Sequence, residues 1–236
     1  MRSRRASDKG SREPQSAIEC EAELIARLQA LVGPTTAELR NLRREFSRRL
    51  AKAHDSLALE LALRLLARQQ FSLRFLAYEL VQNHKQTMRS LNAGQLEQLG
   101  KGLDSWGAVD TFACYLAGPA WREHQVTDKL IHRWARSKDR WWRRAALVST
   151  VPLNNKARGG SGDARRTLPV CELLKDDRDD MVVKAMSWSL RELAKREPAA
   201  ARAFLDQQKA VLAPRVIREV GNKLRTGLKN PRQSVR

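Results

Sequence analysis

The amino-acid sequence predicts an all-α protein arranged as an α-solenoid of about six antiparallel helix pairs. Apolar residues recur every three or four positions from residue 17 onward, and alternating β-branched runs are absent. Examples of this spacing are Leu24, Leu28, Leu31, Leu57, Leu61 and Leu65. Many short helices joined by short loops bury their apolar stripes only against their neighbours, which favours stacked pairs. Because no residue-level repeat is visible, a compact irregular bundle remains the alternative.

The predicted helices are separated by helix-breaking residues. These breaks fall at 33–34, 54–56, 69–70, 90–92, Gly118-Pro119, 137–138, 154–162, 176–179, 197–198 and 213–214. Residues 1–16 are rich in charge, Ser and Gly, which predicts a disordered basic arm before a single helical domain over 17–236. The segment 151–166 is rich in Gly and Arg but lacks the spacing of a phosphate-cradling loop, so we interpret it as a mobile connection.

Charge is unevenly distributed among these helices. Much of the basic content lies in every second helical segment, whereas 17–32 and 92–102 are more acidic or neutral. The basic segments are 34–53, 71–89, 104–117, 139–152, 178–196 and 213–229. Alternate helices of a solenoid line the same surface, so we expect one concave, cationic, tryptophan-bearing face sized for a duplex.

The overall charge indicates a polyanionic partner. The chain has 236 residues, 45 Lys plus Arg against 26 Asp plus Glu, and a net charge of +19. Such a surplus attracts nucleic acid or an anionic membrane. No apolar run is long enough to span a bilayer, and no hydrophobic signal segment follows Met1. We therefore expect double-stranded DNA as the partner, and no membrane.

Cysteine and histidine usage predicts neither a metal nor another cofactor. Three cysteines, Cys20, Cys114 and Cys171, are odd in number and far apart, which fits a reduced cytoplasm. The histidines form no zinc-binding pattern, and we interpret His124 and His132 as surface or packing residues.

The first informative motif is DSWGAVDTF, residues 104–112. One helical turn places Trp106 beside Asp110. A carboxylate can stabilise a positively charged sugar as a glycosidic bond breaks, and an indole supplies a flat wall that excludes water. The alternative makes Trp106 a core residue and Asp110 a surface polar residue.

The second motif is DRWWRRAAL, residues 139–147. Arg143 and Arg144 follow two tryptophans, and the planar fork of an arginine suits a phosphate clamp. Solvated arginines are the alternative.

The third motif is DMVVKAMSWSLREL, residues 180–193. It places Lys184, Trp188 and Arg191 on one helix face, as a cation, an indole and a cation. The alternative makes Trp188 a core residue. The aspartates at 176, 177, 179 and 180 cluster at the helix start, where capping is favoured over metal binding.

Together the three motifs resemble the DNA alkylation repair family of HEAT-like glycosylases, the AlkD-like proteins. The resemblance runs from residue 71 to about 229 and is carried by SWxxVD, WxRRAAL and KAxxWxLRE in that order. It implies HEAT-like helix pairs and excision of N3- or N7-alkylated purines. It also implies that Trp106, Asp110 and Trp188 surround the deoxyribose of the lesion and that Arg144 contacts a phosphate.

The chain departs from the family pattern in two places. Asp180 and Met181 stand where active members carry paired aromatics, and 34–53 lacks the family's aromatic N-terminal helical region. Some relatives bind DNA without excising bases, so a noncatalytic protein that binds distorted or branched DNA is the alternative function. In either case we expect a cytoplasmic monomer associated with the nucleoid through DNA.

Overall fold

A computed structural model describes residues 16–231. None of these residues lies in a β-strand, which confirms the predicted all-α class. The predicted basic arm falls, apart from Ser16, outside the described residues. Ser16 is the N-cap of the first helix, where its side chain accepts a hydrogen bond from the Glu19 amide.

The chain divides into two compact units, residues 1–87 and 88–236. Helices of the first unit are α1 (Ala17–Gln29), α2 (Thr36–Leu50), α3 (Asp55–Ala67) and α4 (Phe71–Asn83). The division falls within α5 (Lys85–Ser90). The prediction of a single domain over 17–236 is not tested by this division and stays a prediction.

In the first unit, α1 packs on α3, and α2 packs on α4. Helix α2 begins with a capping box, in which Thr35 and Glu38 satisfy each other's backbone amides. Part of the basic charge of α2 is neutralised inside the unit, because the buried carboxylate of Glu79 pairs with Arg40 and Arg43.

Helices of the second unit are α6 (Ala93–Leu99), α7 (Trp106–Phe112), α8 (Gly118–Arg122), α9 (Asp128–Ala135), α10 (Arg140–Ser149), α11 (Val151–Asn154), α12 (Ala164–Leu173), α13 (Asp180–Leu193), α14 (Pro198–Gln207) and α15 (Pro214–Thr226). Helix α10 packs between α7 and α13, and α13 packs against α15. Helices α9, α12 and α14 form a second row behind them. Within this unit the predicted side-by-side placement of alternate helices is confirmed. The number of helix pairs and the concave face stay predictions.

The predicted break at Gly118-Pro119 is wrong. A π-helical segment, Ala113–Ala117, follows α7 and continues directly into α8, with Pro119 in its first turn, where a proline is tolerated. Gly118 is instead required by close packing. A Cβ atom there would lie 2.7 Å from the carbonyl oxygen of Ser149.

The segment 151–166 is also more ordered than a mobile connection. It contains α11, a 3-10 turn (Lys156–Arg158) and the start of α12. The buried Asn154 side chain donates to Thr167 at 2.8 Å. A Cβ atom on Gly160 would lie 2.4 Å from the carbonyl oxygen of Pro152, so this backbone packs tightly against α11.

The three cysteines are free thiols, and each is buried. Burial raises the pKa of Cys114 and of Cys171 to about 12. Both thiols are therefore protonated and unreactive at neutral pH. Among residues 16–231, no helix combines the length and the apolar character that crossing a membrane requires.

Candidate functional site

Helix α7 carries the first pair of predicted site residues. Ser105 precedes the helix in extended conformation, so Trp106 is its first residue and Asp110 lies one turn later on the same side. Trp106 is 62% exposed, whereas 19% of the Asp110 side chain is exposed. The alternative that Trp106 is a core residue is therefore wrong.

The carboxylate of Asp110 is held by Arg144 of α10. The guanidinium donates from Nε to Oδ1 at 2.9 Å and from Nη2 to Oδ2 at 2.8 Å. Its remaining terminal nitrogen, Nη1, donates to the backbone carbonyl of Met181, in the first turn of α13. Arg144 thus connects three neighbouring helices and fixes the plane of the carboxylate.

Only 6% of the Arg144 side chain is exposed. The burial follows from the sequence of α10, because Arg144 shares a helix face with the buried residues Leu147 and Val148. An arginine within an apolar stripe needs an internal partner. This signal in WRRAAL was missed, and Arg144 was interpreted from the sequence as a phosphate ligand. The partner itself could not be read from the sequence.

Two opposing effects act on the pKa of Asp110. Burial raises the pKa above its usual value, and the hydrogen bonds and charge of Arg144 lower it by less. Arg144 therefore offsets part of the cost of burying the ionised carboxylate. The result is a negative charge of fixed orientation at the edge of the protein interior.

Trp188 lies on α13, the helix that also supplies the Met181 carbonyl to Arg144. Its side chain is half-buried. Within residues 16–231, no hydrogen bond or ring contact links Trp188 directly to Trp106 or Asp110. The structure thus places the three predicted residues in one row of helices, on α7 and α13, the two neighbours of the helix α10 that carries Arg144.

The predicted DNA-binding residues Arg143 and Lys184 are both ion-paired. Arg143 donates to Asp177 at 2.7 Å and to the carbonyls of Ser137 and Lys138. Lys184 lies 2.6 Å from Asp180, one turn earlier on α13, and its ammonium is exposed. Arg143 therefore joins the loop before α10 to the loop before α13, and Lys184 is the more accessible cation.

Arg191 is half-buried between α13 and α15. Its Nε donates to the hydroxyl of Ser187 at 3.2 Å and lies 3.9 Å from the buried carboxylate of Glu219. Burial lowers the pKa of Arg191 from its usual value. The same Glu219 carboxylate accepts a hydrogen bond from Ser187 at 2.6 Å, so Arg191 belongs to a buried network rather than to a free surface.

The aspartate cluster before α13 caps the helix, as the sequence predicts. Asp179 is the N-cap, and its side chain accepts from the amide of Met181. Asp177 accepts from the amide of Asp179 as well as from Arg143. In the described part of the chain, His, Cys, Asp and Glu residues form no group of three or more arranged to hold a metal ion.

The adjacent tryptophans of α10 point in different directions. The ring of Trp142 lies 4.8 Å from that of Trp134 and 6.0 Å from that of Phe112, measured between centroids. The Arg140 guanidinium lies 4.8 Å from the centroid of Trp141, in a cation–π contact at the surface. Trp142 thus anchors α10 to the second row of helices.

The chain matches the model of a protein family described as DNA alkylation repair enzyme. The match covers residues 12–224, which is most of the chain. No curated protein sequence matches significantly.

Proposed function

We propose that this chain, which belongs to the DNA alkylation repair enzyme family, hydrolyses the N-glycosidic bond of N3- or N7-alkylated purines in duplex DNA. The observation that carries the proposal is the position of the Asp110 carboxylate. Arg144 holds it in one plane, and it lies on the same helix as the exposed Trp106. Such a group stabilises positive charge that develops beside it.

The chemistry of the substrate explains why one carboxylate suffices. An N3- or N7-alkylated purine is already cationic and leaves readily, so the base needs little help from a general acid. The barrier then lies in the positive charge that develops on the sugar, as in glycoside hydrolysis. In this mechanism the bonding electron pair leaves with the purine, which becomes neutral, and water adds to the sugar and gives up a proton to solvent. Asp110 stays ionised throughout and stabilises the oxocarbenium-like sugar as the bond breaks.

The tryptophans have a different role in the proposal. The exposed Trp106 offers a flat apolar face next to the carboxylate, and Trp188 would close the other side of the deoxyribose. Excluding water from the space between them strengthens the attraction between Asp110 and the sugar cation. Neither indole takes part in proton transfer.

The predicted DNA-binding residues can contact phosphates only if their ion pairs within the protein open. Arg143, Lys184 and Arg191 each face a carboxylate in the free protein, and a phosphate would replace that carboxylate on binding. The exposed Lys184 exchanges most easily, since its pair with Asp180 is screened by solvent. The guanidinium of Arg144 already donates to Asp110 and to the Met181 carbonyl in the free protein. A contact between Arg144 and a phosphate therefore stays a prediction.

The deciding experiment is a base-release assay with duplex DNA that contains 7-methylguanine or 3-methyladenine. We expect the wild-type protein to release the alkylated base and leave an abasic site. Its affinity for undamaged duplex should also fall steeply with salt, several hundredfold or more between low and moderate concentrations if roughly five phosphates are contacted.

The second candidate function is binding of distorted or branched DNA without base excision. Asp180 and Met181 favour it, because they replace the paired aromatics of active relatives and Asp180 is engaged with Lys184 and Arg215. Salt-dependent DNA binding with no base released from either lesion would decide for this alternative.

A further inference from the structure

Helix α9 presents a row of basic side chains that no part of the proposed reaction uses. They lie at positions i, i+3, i+4 and i+7, which share one face of a helix. This α9 basic stripe consists of Lys129, His132, Arg133 and the C-cap residue Arg136, all exposed or half-exposed. The stripe is about 10 Å long, given a rise of about 1.5 Å per residue.

The stripe is poorly neutralised within the protein. Among the ion pairs of residues 16–231, Arg133 alone of the four takes part, with Glu97 of α6 at 2.6 Å. Lys129 and Arg133 are one turn apart and repel each other. The helix dipole favours cations in the last turn but opposes Lys129 in the first. A bound anion would therefore relieve unfavourable interactions.

The stripe borders a cleft of about 660 Å³, whose other walls are Ser137, Glu97 and two tryptophans, Trp134 and Trp142. Oε1 of Glu97 accepts from Arg133 at 2.6 Å and from the indole nitrogen of Trp134 at 3.1 Å. Glu97 therefore occupies the guanidinium of Arg133. In the described residues, Lys129 and Arg136 are the strongly basic members of the stripe that have no ion pair and can bind an external anion.

The cleft is separate from the candidate catalytic site. Trp142, which lines it, and Arg144, which holds Asp110, are two positions apart on α10. Each residue turns about 100° around a helix, so the two side chains project from nearly opposite sides. The stripe also lies in the second row of helices, with α12 and α14.

We infer that the α9 basic stripe is a second DNA-backbone site, which contacts about two consecutive phosphates of one strand. The phosphates of one strand wind around the duplex while rising about 3.4 Å each along its axis, so neighbouring phosphates lie farther apart than that rise, and a stripe of about 10 Å meets about two of them. An acidic peptide fits less well, because tight peptide docking needs an accessible apolar anchor. Trp134 is buried, Trp142 is half-buried, and the exposed large apolar side chains of the described chain all lie elsewhere.

The inference rests on family membership for the identity of the polyanion and is independent of base release. Its test compares the wild type with Lys129→Glu/Arg136→Glu. The matched control is Arg202→Glu/Lys209→Glu, which changes two exposed cations in and just after α14 by the same total charge. Arg133 is left intact because its pair with Glu97 links α9 to α6.

The stoichiometry of binding is measured with an excess of an undamaged duplex of about one helical turn, by sedimentation at low salt. We expect two duplexes per wild-type or control protein and one per Lys129→Glu/Arg136→Glu protein. Loss of two phosphate contacts should also reduce the salt slope of the total binding by about 1.8. Equal stoichiometry and equal slopes in all three proteins would overturn the inference.

Three further readouts separate the possible outcomes. In the wild type, excess duplex should protect Lys129 but not Lys209 from acetylation, a result that needs no variant to fold.

Single-turnover base release should be unchanged in Lys129→Glu/Arg136→Glu, and a wild type that releases no base leaves the stoichiometry test intact. If inorganic pyrophosphate binds the wild type but not this variant while the duplex number is unchanged, the cleft is a small-anion site and the DNA assignment fails.

Discussion

The guanidinium of Arg144 and the carboxylate of Asp110 form a two-pronged ion pair, with Nε–Oδ1 at 2.9 Å and Nη2–Oδ2 at 2.8 Å. The pair joins α10 to α7, and 34 residues separate its members in sequence. Because Arg144 is buried and Asp110 reaches the surface, the charge that can act on a substrate is the negative one.

Asp110→Asn should reduce base release by about a hundredfold or more, since it removes the charge that stabilises the sugar cation. It also leaves the buried Arg144 without an ionic partner, so we expect a loss of about 1.5–3 kcal/mol in the free energy of unfolding. Base release is measured in single turnover and stability by denaturant titration. Asp206→Asn, an exposed site on α14, should change neither, and wild-type release by Asp110→Asn would exclude the mechanism.

Arg144→Lys should lower base release more than it lowers DNA affinity. A lysine keeps the positive charge but loses the planar fork that orients the carboxylate. Affinity for undamaged duplex is measured across a salt series beside the release rate. A release rate that falls only as much as the affinity would instead assign to Arg144 the phosphate contact that the sequence predicts.

Base release should fall at acidic pH as Asp110 becomes protonated. Burial sets the pKa of Asp110 above its usual value, and Arg144 opposes that rise. Removing the guanidinium in Arg144→Ala takes away the opposing effect, so the acidic limb should move to higher pH. The profile of kcat/KM, corrected for spontaneous release, reports this pKa in the free enzyme. An acidic limb at lower pH in the variant would contradict the assignment.

Trp106→Ala should reduce base release with little effect on folding. Trp106 is 62% exposed, and substitutions at such positions usually change stability by no more than about 0.5 kcal/mol. Thermal unfolding and single-turnover release are measured on the same preparation. Trp188→Ala is the comparison, because its half-buried ring should cost stability as well. Unchanged release by a folded Trp106→Ala protein would remove this indole from the site.

Gly160→Ala tests the packing of the segment that follows α11. A Cβ atom there would meet the backbone of Pro152 and Leu153 at 2.4–2.5 Å, which should cost about 1–3 kcal/mol of stability. The control is Gly94→Ala in α6, where the nearest atom lies at 3.5 Å and stability should be equal or higher. Similar unfolding midpoints for both variants would show that the backbone around Gly160 can shift to accept a Cβ atom without loss of stability.

The sequence predicted those features that depend on local spacing. The pairing of Trp106 and Asp110 on one helix follows from four-residue spacing and is confirmed, as is the capping role of Asp179. The sequence did not predict features that depend on tertiary contacts. An arginine such as Arg144 is a typical phosphate ligand, and only the packing of α10 against α7 shows that its partner is Asp110. The close approach of Gly118 to the Ser149 carbonyl is likewise a tertiary contact.

The hydrogen bonds of Arg144 to two neighbouring helices reduce the conformational entropy of the Asp110 side chain in the free protein. A surface aspartate on a short helix samples several rotamers, and a reaction that needs one of them must first restrict that freedom. Here the restriction is complete before DNA arrives, because Arg144 binds Asp110 on α7 and the Met181 carbonyl on α13 together. In the proposed reaction, the orientational cost of the Asp110 carboxylate is thus met during folding, and the bond-breaking step would begin with its electrostatic environment already organised.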